Sequence, residues 1–292
     1  MKINILGGYG LVGHGIYLAL SEFYDVKIYN STVFNKKKFE FNDLALFDCD
    51  IFIHAAGVTD EEVASNYNFS ILKSTKFINL ICSELEKQKC TKIVYISTIH
   101  VFGNLKKKIT SNSIPNPLTS YSLFHYCTEK IFEFNTKISS KKLKLLILRV
   151  PTIYGFPKHL DQINRPSIIQ FAFPLSLIHS NQIILNTNGL QYRLFASNIK
   201  VGNFVKIWIN RDFKSRISKY TLNGINLTVL EFCNLCLLTY RKINKTSNPK
   251  IKVGSPSSTN DTFKPIYLET LDEISEPFKL VEYLDYFFKT YK

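Results

Sequence analysis

Apolar and polar positions change period several times along the chain, and each change marks an element. Lys2 to Leu6 alternates and is rich in β-prone residues, Leu11 to Phe23 carries apolar residues at helical spacing, and Val26 to Tyr29 returns to a strand pattern. Together they predict a β-turn-α-β unit starting at residue 1. Asp50 to His54 predicts the next strand, Ile71 to Lys89 a helix, and Lys92 to Ser97 another strand. The polar, proline-containing stretch Thr110 to Pro117 reads as a loop, after which Ser120 is placed to cap a helix from Tyr121 to about Thr136. Leu143 to Val150 closes the series as a strand. Strands alternating with helices predict an α/β fold with a doubly wound parallel sheet. The boundary falls near residue 155, with 156–292 mainly a smaller C-terminal lobe from which some segments return to the first domain. In that lobe Thr228 to Tyr240 has helical spacing, as does Pro277 to Tyr291 through Phe278, Val281, Leu284, Phe287 and Phe288.

Chemistry is first suggested where the first strand meets the first helix. Gly7, Gly10 and Gly13 are spaced three apart in that turn. The first lets the chain turn off the strand, the second lets backbone approach a pyrophosphate, and the third lets the helix pack on the strand, with the helix N-terminus facing the phosphates. Ala55, Ala56 and Gly57 directly follow the strand ending at His54, and small residues there allow a ligand close to the backbone.

Length and composition narrow the class. A chain of 292 residues, 45% hydrophobic and 21% charged, is enough for a large core in one or two closely associated domains. No apolar run approaches the roughly 18 to 20 residues that span a bilayer, and residues 1–6 lack the layout of a signal peptide, so no membrane partner and a cytoplasmic location are expected. The six cysteines (Cys49, Cys82, Cys90, Cys127, Cys233, Cys236) are scattered, with one close pair and no second, which predicts reduced thiols and no metal site. The net charge of +14 would suit nucleic acid, but Lys is spread out, with only Lys36–Lys38 and Lys106–Lys108 as short runs and no aromatic-interleaved basic motif. No nucleic-acid partner is expected; a basic surface equally attracts a dinucleotide or a nucleotide diphosphate.

Five motifs occur in order: Gly-x-x-Gly-x-x-Gly at 7–13, Asp-x-x-Ile-His-Ala-Ala from 50, Ile-Ser-Thr-x-x-Val-Phe-Gly from 96, Arg-x-x-x-x-Tyr-Gly from 149, and Asn188-Gly189-Leu190-Gln191-Tyr192-Arg193-Leu194-Phe195. In them the chain resembles the extended short-chain dehydrogenase/reductase family, in its branch of nucleotide-sugar epimerases, dehydratases and ketoreductases. The resemblance implies a Rossmann-type sheet with a C-terminal substrate-binding lobe, NAD or NADP as cofactor, and a nucleotide diphosphate sugar as substrate. It implies cofactor contacts from Gly7, Gly10, Leu11, Val12, Gly13, Asn30, Asp43, Leu44, Ala55, Ala56 and Gly57. It also implies substrate contacts from Thr152 and from Arg193, the latter toward the diphosphate. A homodimer formed through the helices around 71–89 and 121–136, and a place in making an unusual sugar for surface polysaccharide, are implied by the same analogy.

By the same resemblance, a Tyr exchanges a proton with the substrate oxygen, a Lys four residues later lowers that Tyr's pKa, and a Ser or Thr holds the same oxygen. Thr98 stands at the hydroxyl's place. Two registers offer the Tyr. Tyr126-x-x-x-Lys130 satisfies the literal spacing, whereas Tyr121 has the family's context, four after Pro117 and eight before Glu129, with His125 in the Lys position. On a helix Tyr121 and His125 share a face and Tyr126 starts one rotated by about 140°, so the two pairs cannot serve one site. Tyr121 and His125 are the favoured pair. A histidine is protonated only below about pH 6.5 unless its neighbours raise it.

Asn30 stands where NAD-binding members have Asp, so no acid repels a 2′-phosphate, and Lys36–Lys38 would attract one. Dehydratases carry Asp-Glu directly after the Thr, and this chain has Ile99-His100, which argues against dehydration. The expected reaction is therefore redox at a sugar carbinol, C4 above all, as a 4-epimerase or a 4-ketoreductase/dehydrogenase. The alternative is a cofactor-binding protein with weakened catalysis acting as a sensor or assembly partner, and His125 and Asn30 are the features that favour it.

Overall fold

Six parallel strands form the central sheet of the protein. Its structure, a computed structural model, describes all residues except 36–37, 104, 106–107, 111–112, 166–167, 256–273 and 292. The first half runs β1 (Lys2–Leu6), α1 (Leu11–Leu20), β2 (Asp25–Tyr29), the small hairpin β3 (Phe34–Asn35) and β4 (Glu40–Phe41), β5 (Ile51–His54), α2 (Asp60–Ser65), α3 (Tyr67–Ser74), α4 (Lys76–Lys87), β6 (Lys92–Thr98), α5 (Ser120–Ile138) and β7 (Lys144–Val150). The second half adds β8 (Thr152–Tyr154), α6 (Ile169–Ser180), β9 (Gln182–Ile184), β10 (Tyr192–Ser197), α7 (Asn198–Asn210), β11 (Ile217–Thr221), β12 (Ile225–Thr228), α8 (Val229–Ile243), β13 (Lys250–Lys252) and α9 (Leu280–Thr290).

The sheet order is β11-β7-β6-β5-β1-β2, with every neighbouring pair parallel. Both faces are covered, which is why the central strands read as nearly unbroken apolar runs. Alternate residues go to opposite faces. Ile51, Ile53, Val94, Ile96, Leu146 and Leu148 join one core beneath α1 and α7. Phe52, Ile93, Tyr95, Leu145 and Ile147 join the other with residues of α4 and α5. The second lobe is built on the three strands β12-β10-β8 and a core in which α9 contributes Leu280, Tyr283, Leu284, Phe287 and Phe288.

Two segments of the second half belong to the first domain. β11 pairs with β7 at the sheet edge, and α7 lies on α1, where Gly202 and Gly15 allow a close approach. The order of elements follows the sequence pattern, but several boundaries differ from it. The helix predicted over Ile71–Lys89 is two helices, α3 and α4, broken at Thr75 (φ −128°, ψ −82°). The hydroxyls of Ser70, Ser74 and Thr75 each donate to the carbonyl four residues earlier, an alternative to helix bonding that favours a break. The helix cap before Tyr121 is Thr119 rather than Ser120: its Oγ1 accepts from Ser122 N–H (3.2 Å), and Ser122 Oγ accepts in return from Thr119 N–H (3.1 Å). The first helix stops at Leu20, which leaves Phe23 beyond it with Lys206 over its exposed ring. The last helix starts at Leu280, three residues after Pro277. Of the two Lys runs, Lys36–Lys37 and Lys106–Lys107 lie outside the described residues.

Candidate functional site

Gly7, Ala55 and Thr98 lie at or just beyond the carboxyl ends of β1, β5 and β6, the end at which an open parallel sheet leaves a crevice for ligands. At β1 the chain leaves the strand through Gly7 at φ +89°, a left-handed conformation that favours glycine, and its N–H donates to Tyr29 O (2.8 Å). A Cβ on Gly13 would lie 2.2 Å from Gly7 O, so α1 can approach the turn only without a side chain there. Helix α1 then begins after Gly10 with no side-chain cap and no acid in its first turn. The N–H groups of its first residues, Leu11 and Val12 among them, have no partner within the helix and carry the positive end of its dipole. This cradle fits a dinucleotide's pyrophosphate.

Ala55 continues from β5, with its N–H on Leu6 O (2.8 Å), and Gly57 follows. At the end of β2, Asn30 Oδ1 accepts from the Thr32 N–H (2.9 Å) and from its hydroxyl. Asp43 caps a short 3₁₀ turn starting at Leu44 by accepting from Ala45 N–H (2.9 Å).

Thr98 ends β6, 4% exposed, and its Oγ1 accepts from His100 N–H (3.2 Å). The Thr98 hydroxyl acts on the phenol of Tyr121, which comes from the first turn of α5. Burial pushes the phenol up to about 12, while the Thr98 hydroxyl pulls the other way. Asp60 and Glu61 at the start of α2 also raise it, and Arg165 lowers it. Arg165 and Glu61 are themselves paired at 2.6 Å, which joins the second lobe to α2 beside the site.

His125 lies one turn after Tyr121, their ring centroids 4.7 Å apart. Both its nitrogens are used by the protein. Nδ1 accepts from the Tyr95 hydroxyl (2.7 Å) and Nε2–H donates to Val58 O (3.2 Å). Burial holds the imidazole down at about 4, against the effect of that last bond, so it is neutral at pH 7. The ring also lies against Gly57, where a Cβ would be 2.6 Å from its Cε1. Lys73 Nζ donates to the neighbouring Gly57 O (3.3 Å) and to Glu62 (2.7 Å). His125 thus ties α5 to the backbone after β5.

The other register faces elsewhere. Tyr126 packs on the apolar cluster of Ile99, Val101 and Phe102, and the exposed Lys130 holds its ammonium 5.1 Å from the Tyr126 ring centroid while pairing with Glu133. Further along the Tyr121 face, Glu129 is fully buried and takes both Nε (2.9 Å) and Nη2 (2.7 Å) of Arg149 together with the Ser97 hydroxyl (2.6 Å).

Arg193 stands on β10 and, after burial, is the further cause that holds His100 down at about 4. Thr152 begins β8 and pairs with Phe195 of β10, on the strand that carries Arg193. Sequence reasoning passed over Asp60, Glu61 and Arg165, and used His100 only as the absence of an acid. Asp60, Glu61 and Arg165 lie in stretches with no motif, and His100 fills a variable position of one.

A glycine-rich turn at the first strand, a hydroxyl and a phenol at the ends of β6 and α5, and an arginine from a second lobe define a dinucleotide-dependent enzyme class. Residues 3–197 match the NAD dependent epimerase/dehydratase family, and the chain belongs to it. No curated protein sequence matches the chain. Similar solved structures include the UDP-N-acetylglucosamine 4-epimerase of Methanobrevibacter ruminantium M1 in complex with UDP-N-acetylmuramic acid. It has a TM-score of 0.79 at 14% identity, over 99% of this chain and 98% of that one. The UDP-glucuronic acid 4-epimerase of Bacillus cereus, in complex with UDP-glucuronic acid and NAD, gives 0.75 at 18% identity over 100% of both chains. TunA, an NAD dependent NDP-hexosamine 5,6-dehydratase, gives 0.74 at 16% over 99% of this chain and 96% of that one. At these identities the likeness is one of fold.

Proposed function

We propose that the protein modifies a nucleotide diphosphate sugar by redox at a sugar carbon, C4 above all, as a 4-epimerase or a 4-ketoreductase/dehydrogenase. The observation that supports this is the Thr98 hydroxyl, at the carboxyl end of β6, acting on the Tyr121 phenol at the same end of the sheet as the glycine turn after β1. The 4-epimerases of similar fold make UDP-hexoses the first substrates to try.

Gly7, Gly10, Leu11, Val12 and Gly13 hold the dinucleotide's pyrophosphate, with Asn30 and the Asp43-Leu44 turn toward its adenosine and Ala55, Ala56 and Gly57 along its other half. NAD is the family's cofactor, and the amide at Asn30 leaves room for NADP. When bound, the nicotinamide takes up and returns the two electrons of the carbinol carbon. Thr98 holds the C4 oxygen and Tyr121, in its ionised form, takes the proton as the alcohol becomes a ketone, then gives it back on reduction; the raised phenol makes the donating direction the easier one. Arg193, with Thr152 beside it, anchors the diphosphate, where a guanidinium suits paired phosphate oxygens. His125 adds no charge here; it fixes the backbone at Gly57 and Val58.

A second reading rests on that same neutral His125: a dinucleotide-binding protein of weakened catalysis, serving as a sensor or assembly partner. As further proposals, the protein is cytoplasmic, supplies a sugar for surface polysaccharide, and pairs as a homodimer through α4 and α5, where α5 exposes Leu123, Phe134 and Ile138.

The test is to denature the purified protein, identify released dinucleotide by mass spectrometry, and mix the intact protein with nucleotide sugars while following absorbance at 340 nm. Retained NAD with product and no net absorbance change indicates a 4-epimerase. A net change with added NAD(P) or NAD(P)H indicates a dehydrogenase or ketoreductase. Bound dinucleotide without turnover of any sugar supports the second reading.

A further inference from the structure

Two cysteines stand together at the amino end of the central sheet, at the opposite end of the strands from the crevice. β5 and β6 are parallel neighbours with Ile51 opposite Lys92, and one step below that pair the Thr91 N–H donates to Asp50 O (2.9 Å). Carried down one more step, this register sets Cys49 beside Cys90. Neighbouring strands lie about 4.8 Å apart, inside the roughly 4.4–6.8 Å between Cα atoms that a disulfide spans. Both side chains enter the same core, at 0% and 1% exposure. Cys49 Sγ is 3.7 Å from Phe47 O, and Cys90 Sγ is 3.3 Å from Lys92 O. Each thiol is the group that acts most on the other: Cys90 pushes Cys49 up, and Cys49 draws Cys90 down, with the Lys141 charge adding to the second effect. The other four thiols, of Cys82, Cys127, Cys233 and Cys236, are shifted first by burial. Asp48, Lys89 and Thr91, the chain neighbours of the pair, are exposed, so a local opening of the turn before β6 is enough to admit a small oxidant.

We infer that Cys49 and Cys90 are a redox modification site, closing to an intramolecular disulfide when the protein meets hydrogen peroxide. The Cys90 sulfur, as thiolate, attacks one peroxide oxygen. An S–O bond forms, the O–O bond breaks, and the departing hydroxide leaves as water with the thiol's proton. The Cys49 sulfur then attacks Cys90: the S–S bond forms, the S–O bond breaks, and a second water carries off the Cys49 proton. The two thiols lose two electrons and the peroxide gains them, and a dithiol reopens the bond by exchange. The bond closes a loop over residues 49–90, which carries β5, the small residues Ala55, Ala56 and Gly57, and helices α2, α3 and α4. Such a cross-link restricts the unfolded chain more than the folded one, so the oxidised protein resists unfolding. Thr98 lies at the far end of β6, so the bond acts on stability and leaves the reacting groups in place.

The experiment treats the reduced, full-length protein with hydrogen peroxide, alkylates the remaining thiols in denaturant, and reads the intact mass and a tryptic peptide map, for wild type, Cys49→Ser and Cys90→Ser. Wild type is expected to lose two of its six alkylatable thiols and to yield two peptides joined through Cys49 and Cys90, both changes reversed by dithiothreitol. Oxidised wild type should unfold in urea with an equilibrium constant about 30-fold to 1,000-fold smaller than the reduced form, a gap absent from both variants. Six alkylated thiols after peroxide, oxygen added to Cys90 without a bond to Cys49, or a bond joining other cysteines instead overturns the inference. So do oxidised and reduced forms of wild type that unfold alike. Should the serine variants not fold, the peptide map and urea curves of wild type decide by the same outcomes.

Discussion

Helix α5 carries two tyrosines on different faces, and they have opposite surroundings. The face of Tyr121, His125 and Glu129 is turned inward, where His125 bonds Tyr95 and Val58, Glu129 bonds Arg149 and Ser97, and Thr98 acts on the Tyr121 phenol. The face of Tyr126 and Lys130 ends in solvent, with a cation over a ring and an i,i+3 pair. The spacing Tyr-x-x-x-Lys is present only on the outer face, while the phenol that the Thr98 hydroxyl acts on is on the inner one. A motif is thus a statement about neighbours in space, and along a helix the same spacing is equally compatible with a site or with surface.

The comparison can be broken most directly at the phenols. Tyr121→Phe should cut turnover about 100-fold to 10,000-fold, the usual share of a general acid-base group, and Tyr126→Phe should leave it within about threefold; steady-state assays of the two check this. The next effect is on stability. Glu129→Ala leaves Arg149 charged and buried, which should cost about 3–5 kcal/mol in urea unfolding.

Acid should act on the inner face as well. His54 and His125 sit at about 3 and about 4 when folded, both pushed down chiefly by burial, against about 6.5 in the unfolded chain. The unfolded state therefore binds more protons between these values. Their contribution is full above pH 6.5 and is lost as pH falls toward 4, at about 1.4 kcal/mol per pH unit for each histidine. Unfolding free energies measured from pH 7 to 4 should show this slope, and His125→Gln should remove one histidine's share. His125→Lys would place an ammonium one turn from Tyr121, favouring the phenolate, and should move the pH-rate profile about one unit toward acid. The smallest effect is expected outside: Lys130→Ala should change stability by no more than about 0.5 kcal/mol.

What could be read in the sequence follows the same division. The sheet was legible because strands buried on both faces are apolar throughout, and the turn at Gly7–Gly13 because its backbone admits few residues. The break at Thr75 was missed because helical periodicity runs through it, and only the hydroxyls at 70, 74 and 75 hinted at it. His125 could be placed next to Tyr121, but not its bonds: Tyr95 lies on a different strand and Val58 in a loop. Arg165 and Glu61 had no local signal at all, since their meaning lies in a contact between lobes.

The placement of β11 also bears on how the chain is made. Strand β7 ends at Val150, yet its outer neighbour, Ile217–Thr221, is not synthesised until the strands and helices through α7 have emerged. Until then β7, apolar and hydrogen-bonded on one side only, is an open edge able to pair with another chain. A fragment cut at residue 155 would keep that edge permanently and should collect in inclusion bodies. A nascent chain escapes this only by reaching residue 221, so a ribosome stalled between the two points is where a chaperone would be needed most.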